Sequence, residues 1–218
     1  MKICVCGATG PSGQRLVQQA LDAGHQVIAL VRTPEKVEAK HDNLKVEKVD
    51  VCNVEDLVPH FTGSDAIMSC LGHAISFFTA QTFYSESCKA IVEAMRKADV
   101  KRLVAITSWC TVYKPEHPKF IEWFLKPVFI GRNLADMARM ETYLQNECSD
   151  ITWTCVKPPG LTNDPITDKA IEAVEGQFIP DTRGRMARAD VARFMLSIVG
   201  YEKWYKKLVA IVTAQKDC

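Results

Sequence analysis

Three glycines stand three residues apart near the start of the chain: Gly7, Gly10 and Gly13, in GATGPSG. They lie between an apolar run, KICVC, and a run of helical periodicity, RLVQQALDAG. Glycine in that setting lets the chain turn tightly, lets backbone approach a phosphate, and lets a helix pack closely on a strand; the helix N-terminus meanwhile offers N–H groups to an anion. The chemistry predicted is pyrophosphate binding. A site for an unphosphorylated ribose places Asp or Glu about twenty residues further on, at the end of the second strand. Here VIALVRTPEK offers Arg32 instead, with Lys36 four residues later. A guanidinium at that point holds a 2′-phosphate through paired charge-assisted bonds, so the expected cofactor is NADPH/NADP+ rather than NADH/NAD+.

Other candidates close later β-type runs. Asp50 and Val51 end LKVEKVDV, where a carboxylate could accept the adenine amino group or simply stand in a turn. Gly72 ends SDAIMSCLG, where a glycine would admit the nicotinamide ribose, and His73 after it reads as a loop residue touching the cofactor. Thr107 and Ser108 end KRLVAITS at the same edge, where open α/β sheets bind their ligands. A serine there could donate to a reacting group, hold a nicotinamide or cap a loop. No tyrosine is followed by lysine four residues on: the residues at that offset from Tyr84, Tyr113, Tyr143, Tyr201 and Tyr205 are Cys88, His117, Glu147, Tyr205 and Val209. The acid/base pair of ordinary short-chain alcohol chemistry is missing. The histidines lack partners at metal-ligand spacing, so no metal is expected.

The elements that must position these residues alternate. Strands are predicted at KICVC, HQVIALVR, LKVEKVDV, SDAIMSCLG and KRLVAITS. Helices are predicted after the first, at VEDLVPHF, and through TFYSESCKAIVEAMRKADV. Apolar runs without strict alternation belong to strands buried on both faces, and βα repetition implies a doubly wound parallel sheet. The second half predicts a helix at about 132–147, a strand at ITWTCVKPPG, an extended AIEAVEGQFI, a helix in ARADVARFMLSIV capped near Asp190 or just before it, and an edge strand KKLVAIVT. The aromatic stretch with Phe120, Trp123, Phe124 and Phe129 could wall a substrate pocket, attach to a partner or form the inner face of packed helices. The fold class is α/β, Rossmann-type, as a single domain over residues 1–218.

Composition sets the remaining bounds. The 218 residues are 47% apolar and 24% charged with net charge +1, an ordinary globular balance that favours neither nucleic acid nor an acidic membrane surface. No apolar run reaches the roughly 18 residues that span a bilayer. The apolar run begins at once, so no cleavable leader is expected. Nine cysteines occur without a C-x-x-C, several inside apolar runs (Cys4, Cys6, Cys70, Cys155), the pattern of a reduced cytosolic protein.

The motifs GATGPSG, ALVR, DV, LG, VAITS, ARME, KPPGLT and RADVARFML occur in the order and spacing of the atypical short-chain reductases with an NmrA-like, NAD(P)-binding Rossmann domain. The chain resembles that family over nearly its whole length. The resemblance implies an NADPH-bound monomer whose shallow pocket accepts flavins, tetrapyrroles, quinones and related flat aromatics. Carried over by position, Gly7, Thr9, Gly10, Pro11, Ser12 and Gly13 would hold the pyrophosphate and Arg32 and Lys36 the 2′-phosphate. Asp50 and Val51 would hold the adenine, and Leu71, Gly72 and His73 the ribose. Thr107 and Ser108 would stand beside the nicotinamide, with Ser108 the candidate catalytic residue, and Pro158 and Pro159 would cover it. Trp109, Cys110, Tyr113 and Gly160 would face the substrate. Mammalian members carry a histidine after the two prolines, where this chain has Gly160. Two activities follow: reduction of a flat acceptor, free flavin above all, or non-catalytic NADP(H) sensing as in some NmrA-like proteins. Isomerase action on a sugar nucleotide is disfavoured by the absent Tyr/Lys pair.

Overall fold

In the computed structural model the described residues are 1–72, 82–112, 131–180, 182 and 184–214. The glycine motif is set by its flanks. Strand β1 (Lys2–Cys6) is buried from Ile3 onward, and helix α1 (Pro11–Asp22) buries Leu16, Val17, Ala20 and Leu21. Successive residues of a strand face opposite sides, so each strand feeds two cores. Ile3 and Val5 join Leu16 and Val17, and on the same side Val191 and Met195 of helix α5 (Arg188–Ser197). Cys4 and Cys6 face the other side, toward α2 (Val54–Phe61), α3 (Phe83–Lys97) and α4 (Gly131–Glu147), whose Phe61, Ile91, Met95 and Leu144 fill it. The buried cysteines pack as small apolar groups, and burial pushes the Cys4 thiol up to about 11.

The remaining strands are β2 (Gln26–Val31), β3 (Leu44–Lys48), β4 (Ala66–Ser69), β5 (Arg102–Ile106), β6 (Thr152–Lys157), β7 (Gly160–Thr162), β8 (Ile171–Glu175), β9 (Arg185–Ala187) and β10 (Lys207–Thr213). Eight of them form one sheet in the order β3-β2-β1-β4-β5-β6-β10-β8, parallel except for β8. The expected doubly wound sheet is present, with its switch point between β1 and β4.

One expectation is corrected and one narrowed. KKLVAIVT is an interior strand: β10 lies between β6 and β8, and the edge falls to β8, where Glu172, Val174 and Glu175 are exposed. The cap of α5 falls just before Asp190, at Ala187, and not on Asp190 itself. Asp190 is buried and accepts from Thr167 N (2.9 Å), Thr167 Oγ1 (2.8 Å) and Thr213 Oγ1 (3.2 Å), fastening the 163–170 segment to β10. The paired β7 and β9, which form a separate small sheet, had no sequence signal. Phe120, Trp123, Phe124 and Phe129 lie outside the described residues.

Candidate active site

At the carboxyl edge of the sheet, over the switch point, a cleft of about 530 Å³ opens. The glycine loop forms its floor. Gly7 has φ +81°, a left-handed conformation that suits glycine, and a Cβ there would meet Cys70 O at 2.8 Å. Gly10 N donates to Gly7 O (3.1 Å), closing the turn. Gly10 is the N-cap of α1 and Pro11 its first residue; no side chain caps the helix, and its first turn has no acid. That leaves the positive end of α1 and the Ser12 backbone open toward the cleft, a cradle that fits an anionic diphosphate. Arg32 and Lys36 line the same cleft, both exposed, and among the described residues neither is paired with a carboxylate.

Of the expected residues, Gly7, Thr9, Gly10, Pro11, Ser12, Arg32, Lys36, Val51, Leu71, Gly72 and Thr107 come together around the cleft. Gly13 does not reach it. It is buried inside α1, where an added Cβ would lie 2.2 Å from Gly7 O, so its part is to seat the helix on the loop. Asp50 is exposed, and its Oδ1 accepts Cys52 N (3.0 Å) in a local turn. Ser108 is half-buried directly after Thr107. Trp109 and Cys110, expected at the substrate, are buried instead against Phe178, Ile179 and Val212. Pro158 and Pro159 are buried, and Pro158 O accepts Trp109 N (3.1 Å). Gly160 is exposed on β7, its N–H on Gly184 O (3.0 Å). His73 and Tyr113 lie outside the described residues.

Several lining residues were given no role from the sequence. Phe83 and Tyr84 at the start of α3 and Met137 of α4 form a side wall. Fully buried Asp136 holds that wall, accepting from Tyr84 N (2.7 Å), Ser85 Oγ (2.5 Å) and Arg139 Nη2 (3.1 Å). It does from α4 what the Thr82 side chain does not do as N-cap of α3. Leu161 and Arg188 close the opposite side. The Arg188 guanidinium donates to Asn163 Oδ1 (2.8 Å) and pairs with no carboxylate among the described residues. It adds a third cation to the cleft. Cys70 lines the cleft too, but burial pushes its thiol up to about 12, so it supplies no thiolate at neutral pH.

Beneath Thr107 lies a buried polar cluster. Thr107 Oγ1 donates to Glu141 Oε1 (2.6 Å), Thr111 Oγ1 donates to Glu141 Oε2 (2.7 Å), and the Lys157 ammonium donates to Glu141 Oε1 and to Thr111 Oγ1 (2.7 Å). Burial draws the Lys157 ammonium below the ordinary lysine range, and the Glu141 carboxylate beside it pulls the other way. Among the described residues no group of His, Cys, Asp and Glu could hold a metal ion, and no helix is long and apolar enough to cross a membrane.

Residues 7–202 match the model of a family described as NAD(P)H-binding. A chloroplastic protein of Arabidopsis thaliana is 29% identical over 97% of this chain and 76% of its own length. The oxidoreductase ylbE of Lactococcus lactis superposes with a TM-score of 0.82 at 22% identity, covering 99% of this chain and 92% of that one. SP1627 of Streptococcus pneumoniae TIGR4, a candidate NADH-flavin reductase, superposes with a TM-score of 0.75 at 20% identity, covering 98% and 100%.

Proposed function

The chain belongs to the NAD(P)H-binding family, and on that premise we propose that it is an NADPH-dependent reductase acting on a flat aromatic acceptor, with free flavin the foremost candidate. One observation carries the reading: the cleft joins an uncapped glycine-loop helix to two cations, Arg32 and Lys36, and among the described residues no acid lines that end. The likeness of its motifs to biliverdin reductase B, an NADPH-dependent flavin reductase, supports the choice of acceptor.

The residues that line the cleft support a division of labour. Backbone of the Gly7–Ser12 loop and the start of α1 would bind the diphosphate, and Arg32 with Lys36 the 2′-phosphate. Phe83, Tyr84 and Met137 supply an apolar wall for flat rings. When bound, NADPH supplies the hydride, and the protein's task is orientation. No residue lining the cleft is a carboxylate or a histidine among those described. A reduced flavin can take its proton from solvent, so a lone hydroxyl at Ser108 suffices to align the ring. The test is NADPH consumption across flavins, quinones and biliverdin. Turnover with FMN supports the proposal; tight dinucleotide binding with no acceptor turned over would identify a sensor instead.

The same reading sets the size of the Ser108 effect. Ser108→Ala removes one neutral hydrogen bond, worth about 0.5–1.5 kcal/mol, and so lowers kcat with FMN by roughly tenfold or less. Dinucleotide affinity, followed by fluorescence quenching, stays within about threefold. A thousandfold loss with the cofactor still bound would make Ser108 a proton donor and exclude an orientation-only role.

A further inference from the structure

The segment after β5, residues 107–112, bounds the cleft at Thr107 and carries Ser108. Its backbone is heavily constrained. Cys110 has φ +56°, a conformation that a non-glycine residue keeps only where its surroundings enforce it. Trp109 N donates to Pro158 O (3.1 Å) and Cys110 N to Gln177 O (3.1 Å). On either side of this stretch, Thr107 and Thr111 both donate to one carboxylate, that of Glu141, which in turn is paired with Lys157. Lys157 is fully buried and the Glu141 side chain is 2% exposed.

A buried ion pair is a poor device for stability. Taking both charges out of water costs about what their attraction returns, and an apolar pair of similar volume does as well or better. The consequence particular to this pair is geometric. With Lys157 holding the carboxylate, Glu141 accepts the hydroxyl proton of Thr107 and, in competition with Gln177 Oε1 (3.0 Å), that of Thr111, and so spans Ser108. A threonine has a single hydroxyl proton. With that proton committed to Glu141, the Thr107 oxygen meets any molecule in the cleft as an acceptor. That selects ring systems bearing an N–H, such as the carboxamide of a nicotinamide or the imide of a flavin.

We propose that Glu141 and Lys157 are positioning residues: from beneath the cleft they hold the 107–112 segment so that Thr107 presents an acceptor oxygen and Ser108 is aligned beside it. Only the kinetic part of the test rests on the reductase reading. The double variant Glu141→Met/Lys157→Met removes both charges at similar volume. Its Tm is expected within about 3 °C of the wild type. At that matched stability, the Trp109 and Cys110 amides exchange with solvent at least about tenfold faster. In the same variant kcat with FMN falls about tenfold while the KM for NADPH moves less than about threefold. Adding Thr107→Val to the double variant costs little more, because the contact it removes is already without effect. Thr107→Val and Thr111→Val, made singly, carry the same exchange and kinetic readouts should the double variant fail to fold. A folded double variant, or the two single valine variants, with wild-type exchange at Trp109 and Cys110 and wild-type kcat would overturn the proposal. A wild-type protein that reduces no acceptor would refute the reductase reading alone, and the exchange rates would still decide this one.

Discussion

Arg32→Ala is expected to lower the affinity for NADP+ by roughly ten- to a hundredfold and to leave the affinity for NAD+ nearly unchanged. Arg32 follows β2, lines the cleft and forms no ion pair among the described residues. Its charge is not spent on the fold, so the substitution removes only what the guanidinium gives to a ligand. One charge-assisted hydrogen bond to a phosphate nets about 1.5–3 kcal/mol, a value taken for the whole contact because Arg32 is exposed and screened, and each 1.4 kcal/mol is a factor of ten. Lys36 sits one 3-10 turn further on and lines the same end of the cleft. As a point charge on a flexible stem it compensates partly, so Arg32→Ala/Lys36→Ala is expected to be worse than either change alone. Titration calorimetry with both dinucleotides measures the split. Equal weakening of NADP+ and NAD+ would show that Arg32 shapes the site rather than reading the 2′-phosphate, and the preference for NADPH would have lost its basis. The Tm without ligand should stay within about 2 °C, as for other exposed substitutions.

The half of the chain that carries the glycine loop was legible because its signals are local. Each strand there is a short apolar run, each helix has its own apolar stripe, and the glycines sit at the junction of the first pair. Legibility fails where a partner arrives from far along the chain. KKLVAIVT reads as a strand from its own residues, but its interior position is set by β8 folding back antiparallel, with Ala210 opposite Val174 and Val212 opposite Glu172. Asp190 has the residue type and place of a helix cap, yet two distant threonines, Thr167 and Thr213, claim its carboxylate. The cleft divides the same way. Its floor comes from motifs, while Phe83, Tyr84 and Met137 are delivered by α3 and α4 and carry no spacing of their own, and Leu161 and Arg188, though inside KPPGLT and RADVARFML, reach the cleft only through the placing of β7 and α5. The Glu141–Lys157 pair did leave a trace. Lys157 ends the apolar run TWTCVK, and Glu141 lies between Met140 and Leu144 on the buried face of α4. A charge on each of two apolar faces is the pattern of a buried pair, since neither is tolerated without the other.

Gly13→Ala is expected to cost the fold at least about 3 kcal/mol, a fall in Tm of roughly 6–12 °C, with dinucleotide binding lost alongside. A Cβ built at Gly13 lies 2.2 Å from Gly7 O and 2.8 Å from Ala8 Cα, both backbone atoms of the turn on which α1 rests. No rotamer relieves that overlap. Either α1 lifts from the sheet, exposing Leu16 and Val17, or the Gly7 turn moves. The turn is poorly able to move, because Gly7 is itself left-handed and abuts the Cys70 carbonyl, with its N–H on Leu30 O (3.3 Å). Gly10→Ala provides the contrast. Its Cβ would make an ordinary contact of 3.4 Å with Gly7 O and meet nothing else, so the ligand-free protein should melt within about 2 °C of the wild type. Its loss falls on the ligand instead, at about tenfold or more in NADP+ affinity, because Gly10 lines the cleft where the diphosphate backbone must come close. Thermal melts of both variants without ligand, followed by NADP+ titration, separate the two effects. Equal melting temperatures for the two would mean that Gly13 is not a packing residue, and the division of the glycine motif into one position for the fold and others for the ligand would fail.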